Sequence, residues 1–270
     1  MSIMKDKEYL RQYARQQLRA CQIKQLDILK EIDRVCKEHG IAYWLDGGTL
    51  LGAKRHGGFI PWDDDIDIAM GCEDLKRFCQ IAPSALPATL FLQTPESDPN
   101  NGPIIKVRDL NSLYIEHGDD FETAYVKGIY VDIFPFMKHP DVPRSWIKHL
   151  HVGLSKSYSI LHRKHYYSLR SFAEFFWFGA KYLLYTSLWR LLCACWPSHR
   201  YANIPIINGY GITHQRETVL PLGTIHFEDA DFPAPHDADQ YLRNIYGDYM
   251  QMPPEEKRKV HAEFILTKLM

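Results

Sequence analysis

The chain has 270 residues, 46% of them hydrophobic and 24% charged, and its 32 Lys plus Arg against 33 Asp plus Glu give a formal net charge of −1. That balance excludes a nucleic-acid coat, which needs a basic excess, and a disordered chain, which lacks the apolar content. At this length about three-quarters of the unfolded surface can be buried, so a folded soluble enzyme of one large domain, or of a domain with an elaborated lobe, is expected.

The N-terminus MSIMKDKEYLRQYARQQLRACQ carries charges throughout and lacks the apolar run and cleavage site of a secretory signal, which predicts a cytoplasmic protein. Cys21, Cys36, Cys72, Cys79, Cys193 and Cys195 are too few for a disulfide scaffold and show no C-x-x-C spacing, so reduced thiols are expected. Residues 8–39 contain no Gly or Pro, and Leu18, Cys21, Leu26, Leu29, Ile32 and Cys36 recur at three- and four-residue steps, the stripe of an amphipathic helix closed by Gly40. Ile41–Leu45 reads as a buried strand broken by Asp46-Gly47-Gly48. Thr49–Arg55 reads as a short helix with Thr49 near its N-cap, followed by a turn at Gly57-Gly58 and Pro61.

Asp65–Ala69 alternates polar and apolar residues with period two and reads as a strand. A helix is expected over Glu73–Ile81, then strands at Leu90–Gln93, Ile104–Arg108 and Ile129–Phe134, an alternation typical of an α/β or α+β core. From Trp146 to Trp196 the chain turns to aromatic-rich helix. Glu174, Lys181 and Arg190 argue against a membrane span there, leaving a buried core helix and an interfacial helix on a membrane both open. The last part reads as turn-rich strands over Val219–Phe227, a helix capped by Asp237 and ended by Gly247, and a charged terminal helix after Pro253-Pro254. The expected organisation is a core over 1–139, a helical insertion over 140–205 and a C-terminal segment over 206–270 that packs on the core.

The strongest local signal is GGTLLGAKRHGGFIPWDDDIDIAM, residues 47–70. Two glycines at a helix entry let a ligand approach the backbone, and the helix N-terminus favours phosphate; a plain structural turn is the other reading. On a strand, Asp65 and Asp67 share a face about 6.5 to 7 Å apart at the backbone, a reach from which two carboxylates can hold one Mg²⁺. A lone Asp-rich run is more often a solvated turn, and a calcium loop is excluded because Ile68 stands where that loop needs Gly. Asp132 changes the balance: it lies in the apolar strand Ile129–Phe134, where a carboxylate is costly unless paired or metal-bound. Beside Asp65 and Asp67 it would complete a three-carboxylate site, as a ligand or as the group taking a proton from an attacking hydroxyl.

The run from Gly48 to Asp67 resembles the LicD family, whose hallmark is GTLLG-x-x-RH-x-GFIPWDDDID. Family-like segments recur at Lys106–Asp109, at Asp132–Pro135, from Tyr241-Leu242 through Tyr246–Met250, and at Pro253-Pro254. The resemblance implies a nucleotidyltransferase-like fold, an α/β (α+β) mixed-sheet core flanked by helices, that moves a phosphorylated alcohol from a CDP-activated donor to a glycan hydroxyl. Transfer of phosphocholine from CDP-choline is the best-known activity, and the fukutin-type enzymes use CDP-ribitol. Lys127-Gly128 stands where the family often reads His-Gly.

Carried over residue by residue, the resemblance implies Asp65 and Asp67 as ligands of Mg²⁺ or Mn²⁺, with Asp63 behind them or on a second metal. It implies Asp132 as the third carboxylate, and Gly47, Gly48 and Thr49 as the donor-phosphate cradle. Lys106 and Arg108 alternate on a strand and are expected to neutralise the diphosphate or to form surface ion pairs; Arg55 and His56 are expected to contribute at least one phosphate contact. A choline head group would want aromatic faces, with Trp44, Trp62, Tyr130, Tyr246 and Tyr249 as candidates that core packing also explains.

A metal-dependent glycosyltransferase also uses Asp-x-Asp, but after a long nucleotide-binding half rather than immediately after a Gly-Gly helix. A non-catalytic membrane-surface module would leave the acids unexplained. The expected partners are therefore a CDP-alcohol and a glycan or glycolipid acceptor, with no nucleic acid. Residues 145–200 hold eight Lys plus Arg against Glu174 alone, a local charge of +7 balanced by −8 in the remainder. The basic segment suits an anionic membrane surface, which suggests peripheral attachment on an inner membrane face.

Overall fold

In the computed structural model, residues 2–98, 103–119, 122, 124–162, 168–258 and 260–269 are described, the side chains of 2–11 and 14 excepted. The chain divides into two units, 1–135 with 221–270, and 136–220. The second unit is thus wider than the 140–205 stretch marked by composition.

The first unit begins with helix α1 (Ser2–His39), which starts six residues before the 8–39 stretch read as helix. Cys21, Leu26, Leu29, Ile32 and Cys36 are buried as the stripe requires. Strand β1 (Tyr43–Leu45) leads into α2 (Gly47–His56), then β2 (Asp67–Gly71), α3 (Cys72–Ala85), β3 (Leu90–Gln93), β4 (Ile105–Asp109), β5 (Leu113–Glu116) and β6 (Tyr130–His139). The central sheet has the order β1-β2-β6-β4-β3. Register places Lys106 opposite Asp132 and Arg108 opposite Tyr130 on the antiparallel β4–β6 pair. Because β2 lies next to β6, the two acid-bearing strands are neighbours, and Asp132 N donates to Ile66 O at 2.8 Å. Leu45, Ile68, Ala69, Met70, Val107, Val131 and Ile133 are fully buried in this sheet.

The end of the chain returns to the first unit as the hairpin β9 (Gly223–Phe227) and β10 (Ala230–Ala234), after a short helix over Arg216–Val219. The helix over Ala238–Tyr246 is capped by Asp237, whose side chain accepts from Gln240 N, and ends at Gly247, as expected. The charged terminal helix does not form. Glu255–Lys257 makes one 3₁₀ turn, and Ala262–Leu266 is a strand, β11, paired antiparallel with β5. The apolar residues of AEFIL find a partner strand there, and the charges before it remain in the turn.

In the second unit, the distal half of β6 pairs with β7 (Arg200–Asn203), which pairs with β8 (His214–Gln215). Helices α4 (Arg144–His162) and α5 (Leu169–Cys195) pack through Ile147, Leu150, Leu154, Trp189 and Leu192, with Tyr182 and Tyr185 at the margin. All six cysteines carry free thiols.

Candidate active site

The acid-rich turn at Asp63–Asp65 is held from behind by α1. Gln22 Nε2 donates to Asp63 O at 2.8 Å, and Gln25 Nε2 donates to Asp64 O at 2.7 Å. Successive side chains then part. Asp64 is fully buried and accepts from the backbone N–H of His261 at 2.9 Å and of Ala262 at 2.7 Å, pinning the start of β11. Asp63 and Asp65 face the other way and, with Asp67 at the start of β2, line a cavity of about 400 Å³. The strand begins at Asp67, so Asp65 sits in the approach to it, and the two carboxylates nonetheless open on one space.

Helix α2 closes the site from the front. Its N-cap is Asp46, whose side chain accepts from Gly47 N at 2.8 Å and from the Tyr241 hydroxyl at 2.6 Å. Thr49 is therefore not the cap; its hydroxyl instead accepts from Asp67 N at 2.8 Å, tying the helix to the metal-candidate strand. The paired glycines have a steric reason. A Cβ on Gly47 would stand 2.7 Å from Asp67 Oδ2, and one on Gly48 would stand 2.8 Å from Asp63 Oδ2. Gly47 also has a φ of +50°, which glycine adopts without strain. Gly52 is needed for a closer approach, since a Cβ there would lie 2.5 Å from Gly58 O. Glu228, at the tip of the β9–β10 hairpin, fixes this corner: it accepts from Phe59 N at 3.0 Å and pairs with Arg19 at 2.6 Å.

The charges do not balance inside the site. Burial, then repulsion from Asp65 and Asp64, pushes the Asp63 carboxyl up to about 8. Burial raises Asp65 to about 6, with His261 and Lys106 opposing and Asp64 and Asp132 adding to the rise. Burial and then the carboxylates of Asp65, Asp132, Asp46 and Asp63 raise Asp67 well above the ordinary range. Asp64 behaves oppositely: burial pushes it up, but the His261 ring and the backbone donors bring it below its usual value. His261 is raised to about 9 by the hydrogen bond to Asp64, against its own burial, and by the neighbouring carboxylates; its Nδ1 lies 3.2 Å from Asp64 Oδ1 and 3.3 Å from Asp65 Oδ2.

This donor set fits the divalent ion that the sequence resemblance implies. Asp63, Asp65 and Asp67 present hard oxygen donors whose mutual repulsion a divalent cation would relieve, and the two glycines leave room beside them. A different trio, Asp64, Asp65 and His261, also brings one ligand atom from each within 4.8 Å of the others. Without an ion, that trio acts as a clamp: Asp64 accepts from the backbone N–H groups of His261 and Ala262, and the His261 ring bridges Asp64 and Asp65.

The other expected residues separate into two groups. Arg55 lines the cavity and donates to Tyr249 O at 2.8 Å, whereas His56 is exposed at the end of α2 and does not line it. Trp62, Tyr246 and Tyr249 line the cavity; the Arg258 guanidinium covers the Trp62 ring at 4.4 Å, and Tyr249 is tied by its hydroxyl to Asp239. Trp44 is buried in β1.

Asp132 is buried behind the cavity with Lys106, the two 2.8 Å apart. Lys106 also reaches Glu116 at 3.3 Å and stands over the Tyr130 ring at 3.6 Å. Arg108 is buried, donates to Gln93 Oε1 at 2.5 Å and to Gly128 O at 2.8 Å, and has its guanidinium 4.7 Å from the centre of the Tyr130 ring. Lys106 thus belongs to a buried ion pair and Arg108 to a buried hydrogen-bonded cluster, neither lining the cavity, and Tyr130, buried with both cations near its ring, is not open to a head group. Lys127, where the family often has His, is buried with its ammonium 4.0 Å from the Tyr125 ring.

Residues to which motif reading assigned no role also line the cavity: Asp248, which lies in the family-like segment Tyr246–Met250, and Gln251, Lys257 and His261. Pro253-Pro254 marks the path of this segment in the sequence, but no periodicity signals that it returns to the acids.

Residues 40–171 match the family description LicD/FKTN/FKRP, nucleotidyltransferase domain. The chain is 26% identical to the lipopolysaccharide cholinephosphotransferase LicD of Haemophilus influenzae over 270 residues, covering 90% of this chain and 95% of that protein. It is 32% identical to the human ribitol 5-phosphate transferase FKRP over 119 residues, 43% of this chain but 21% of that protein. To the mouse ribitol-5-phosphate transferase FKTN it is 34% identical over 50 residues, 18% of this chain and 11% of that one.

Proposed function

The chain belongs to the LicD family, residues 40–171 carrying its nucleotidyltransferase domain, and from that premise we propose that it transfers a phosphorylated alcohol from a CDP-activated donor to a glycan hydroxyl. The observation that carries this reading is the convergence of Asp63, Asp65 and Asp67 with Gly48 and Arg55 on one cavity. Similarity along nearly the whole length of a lipopolysaccharide cholinephosphotransferase favours phosphocholine as the group moved and a lipopolysaccharide or similar cell-surface glycan as acceptor. A nucleotide donor goes with a cytoplasmic site of action at the inner face of a membrane.

Asp65 and Asp67, with Asp63 beside them, would hold Mg²⁺ or Mn²⁺. Bound there, the ion would supply positive charge to the diphosphate and to the leaving CMP. The protein's own part is to position and neutralise. Arg55 offers a guanidinium to phosphate oxygens, and the glycine pair lets the donor reach the start of α2. The acceptor oxygen forms its bond to the distal phosphorus as the anhydride bond to CMP breaks. Its proton passes to a cavity carboxylate, and Asp63, which lines the cavity beside Asp65 and Asp67, is the candidate acceptor. Lys106 holds Asp132 in place behind them. Tyr246 offers a ring face to a quaternary ammonium, beside Trp62, whose ring already carries the Arg258 guanidinium.

The test is release of CMP from CDP-choline, CDP-ribitol and CDP-glycerol with Mg²⁺ and a glycan acceptor. CDP-choline is expected to be used best. Turnover of a sugar nucleotide in place of all three would overturn the proposal.

A further inference from the structure

Helix α5 is apolar on two sides, and one of them has no protein against it among the described residues. Trp189 and Leu192 pack into the α4–α5 core, with Tyr182 and Tyr185 beside them. On the opposite side Leu169, Phe172, Phe176, Leu183 and Leu191 recur at three-, four-, seven- and eight-residue steps, one stripe of a 3.6-residue helix. They are exposed by 91%, 66%, 58%, 69% and 56%, and Trp177 and Leu184 flank them at 61% and 56%. A stripe of large apolar side chains this long is far from the isolated exposed leucine that needs no explanation.

Two observations identify what it meets. Among the described residues no helix is long and apolar enough to cross a membrane, so this face is not one wall of a span. The unit that carries it, residues 136–220, holds eleven Lys and Arg against three Asp and Glu in the sequence, a formal charge of +8. Lys148, Lys156, Arg170 and Arg190 are exposed on α4 and α5 themselves. A second copy seated on this face would bring two such units together against like-charge repulsion, whereas an anionic bilayer satisfies both the apolar stripe and the cations.

We propose that the outer face of α5 lies in the surface of an anionic lipid bilayer, parallel to its plane, with Phe172, Phe176, Leu183 and Leu191 in the acyl boundary and the α4–α5 cations at the head groups. This is independent of the transfer chemistry, because it uses none of the residues at the candidate active site.

The test uses the full chain and phosphatidylcholine vesicles with and without phosphatidylglycerol. Co-sedimentation is expected with the anionic vesicles at low salt and is expected to weaken at high salt. The double substitution Phe176→Ser and Leu183→Ser should lower partitioning roughly ten-fold or more at unchanged melting temperature. Arg190→Glu, which leaves the stripe intact, should lower binding to anionic vesicles alone. Failure to bind anionic vesicles at low salt, binding that neither variant changes, or a dimer of the wild-type chain that the Phe176/Leu183 variant dissociates would overturn the proposal. Equal binding to both vesicle types would overturn the choice of an anionic lipid.

Discussion

Lys106 Nζ stands 2.8 Å from Asp132 Oδ1, with each side chain about nine-tenths buried, in the layer behind the cavity acids. Lys106 has a second partner in Glu116, whereas Asp132 relies chiefly on Lys106 to offset its burial. Burial already raises the proton affinity of Asp132, and Lys106 opposes that rise. Lys106→Met would leave the carboxylate unpaired, at a cost of about 3 kcal/mol in urea unfolding at neutral pH. Part of that loss should return at low pH, where Asp132 takes up a proton. A stability within about 0.5 kcal/mol of wild type would show that the pair is not the support for this layer.

The glycine pair makes a separable prediction. Gly48 has no positive φ, so Gly48→Ala keeps a permitted backbone and disturbs mainly the Asp63 carboxylate, which its Cβ would approach to 2.8 Å. Transfer activity and divalent-ion affinity should fall by roughly 10- to 100-fold with little change in melting temperature. Gly47→Ala adds the strain of an L-residue at φ +50°, so it should lose stability by about 1 kcal/mol or more as well as activity. Equal effects of the two substitutions on melting temperature would remove this distinction.

The acids themselves set the pH response of the metal-free protein. Asp63 and Asp65 are raised to about 8 and about 6 on folding, so the folded state holds protons that the unfolded state has lost. Stability is therefore highest below about pH 4 on their account, and falls as pH rises toward 6 and then 8. A divalent ion should restore the loss at pH 8, and chelation should remove that gain. Asp67→Asn should abolish transfer, lowering it at least roughly 10³-fold, while raising the metal-free melting temperature at pH 8 by relieving repulsion. Retained turnover in that variant would sink the ligand assignment.

How much of this was legible in the sequence depends on the range of the interaction. Period-two spacing pointed Asp65 and Asp67 to one space, but the strand begins only at Asp67, and Asp65 reaches the cavity from the approach to it. The same alternation placed Lys106 and Arg108 together but could not say which side of the sheet they face; register against Asp132 and Tyr130 decides that. Tyr130 is aromatic and next to the site, yet it is covered by those two cations. Capping of α2 shows the opposite limit: Asp46 and Thr49 are both competent caps, and the Tyr241 hydroxyl, 195 residues away, favours Asp46. His261 could not be found by motif, because its pairing with Asp64 spans 197 residues and arises only when β11 pairs with β5. The terminal residues were read as helix for the same reason, since their partner strand lies far upstream.

The second unit should fail first in acid. His139, His151 and His214 are almost entirely buried, and burial lowers them to about 3, 4 and 3. His139 and His151 each meet the Trp189 ring edge-on at 4.9 Å, so a proton on either would charge an aromatic core. In the folded state these rings stay neutral while in the unfolded chain they protonate near 6.5. Their contribution is therefore complete above about pH 6.5 and is lost as pH falls toward 4. Each ring contributes a slope of about 1.4 kcal/mol per pH unit in that window. Urea midpoints measured between pH 7.5 and 5 should fall with decreasing pH, monitored by a probe in the second unit such as Trp189 fluorescence isolated by substitution of the other tryptophans. His151→Asn, which can still donate to Asn208 O but does not titrate, should reduce the slope by about one ring's share. An unchanged slope in that variant would mean that His151 is not neutral in the folded protein.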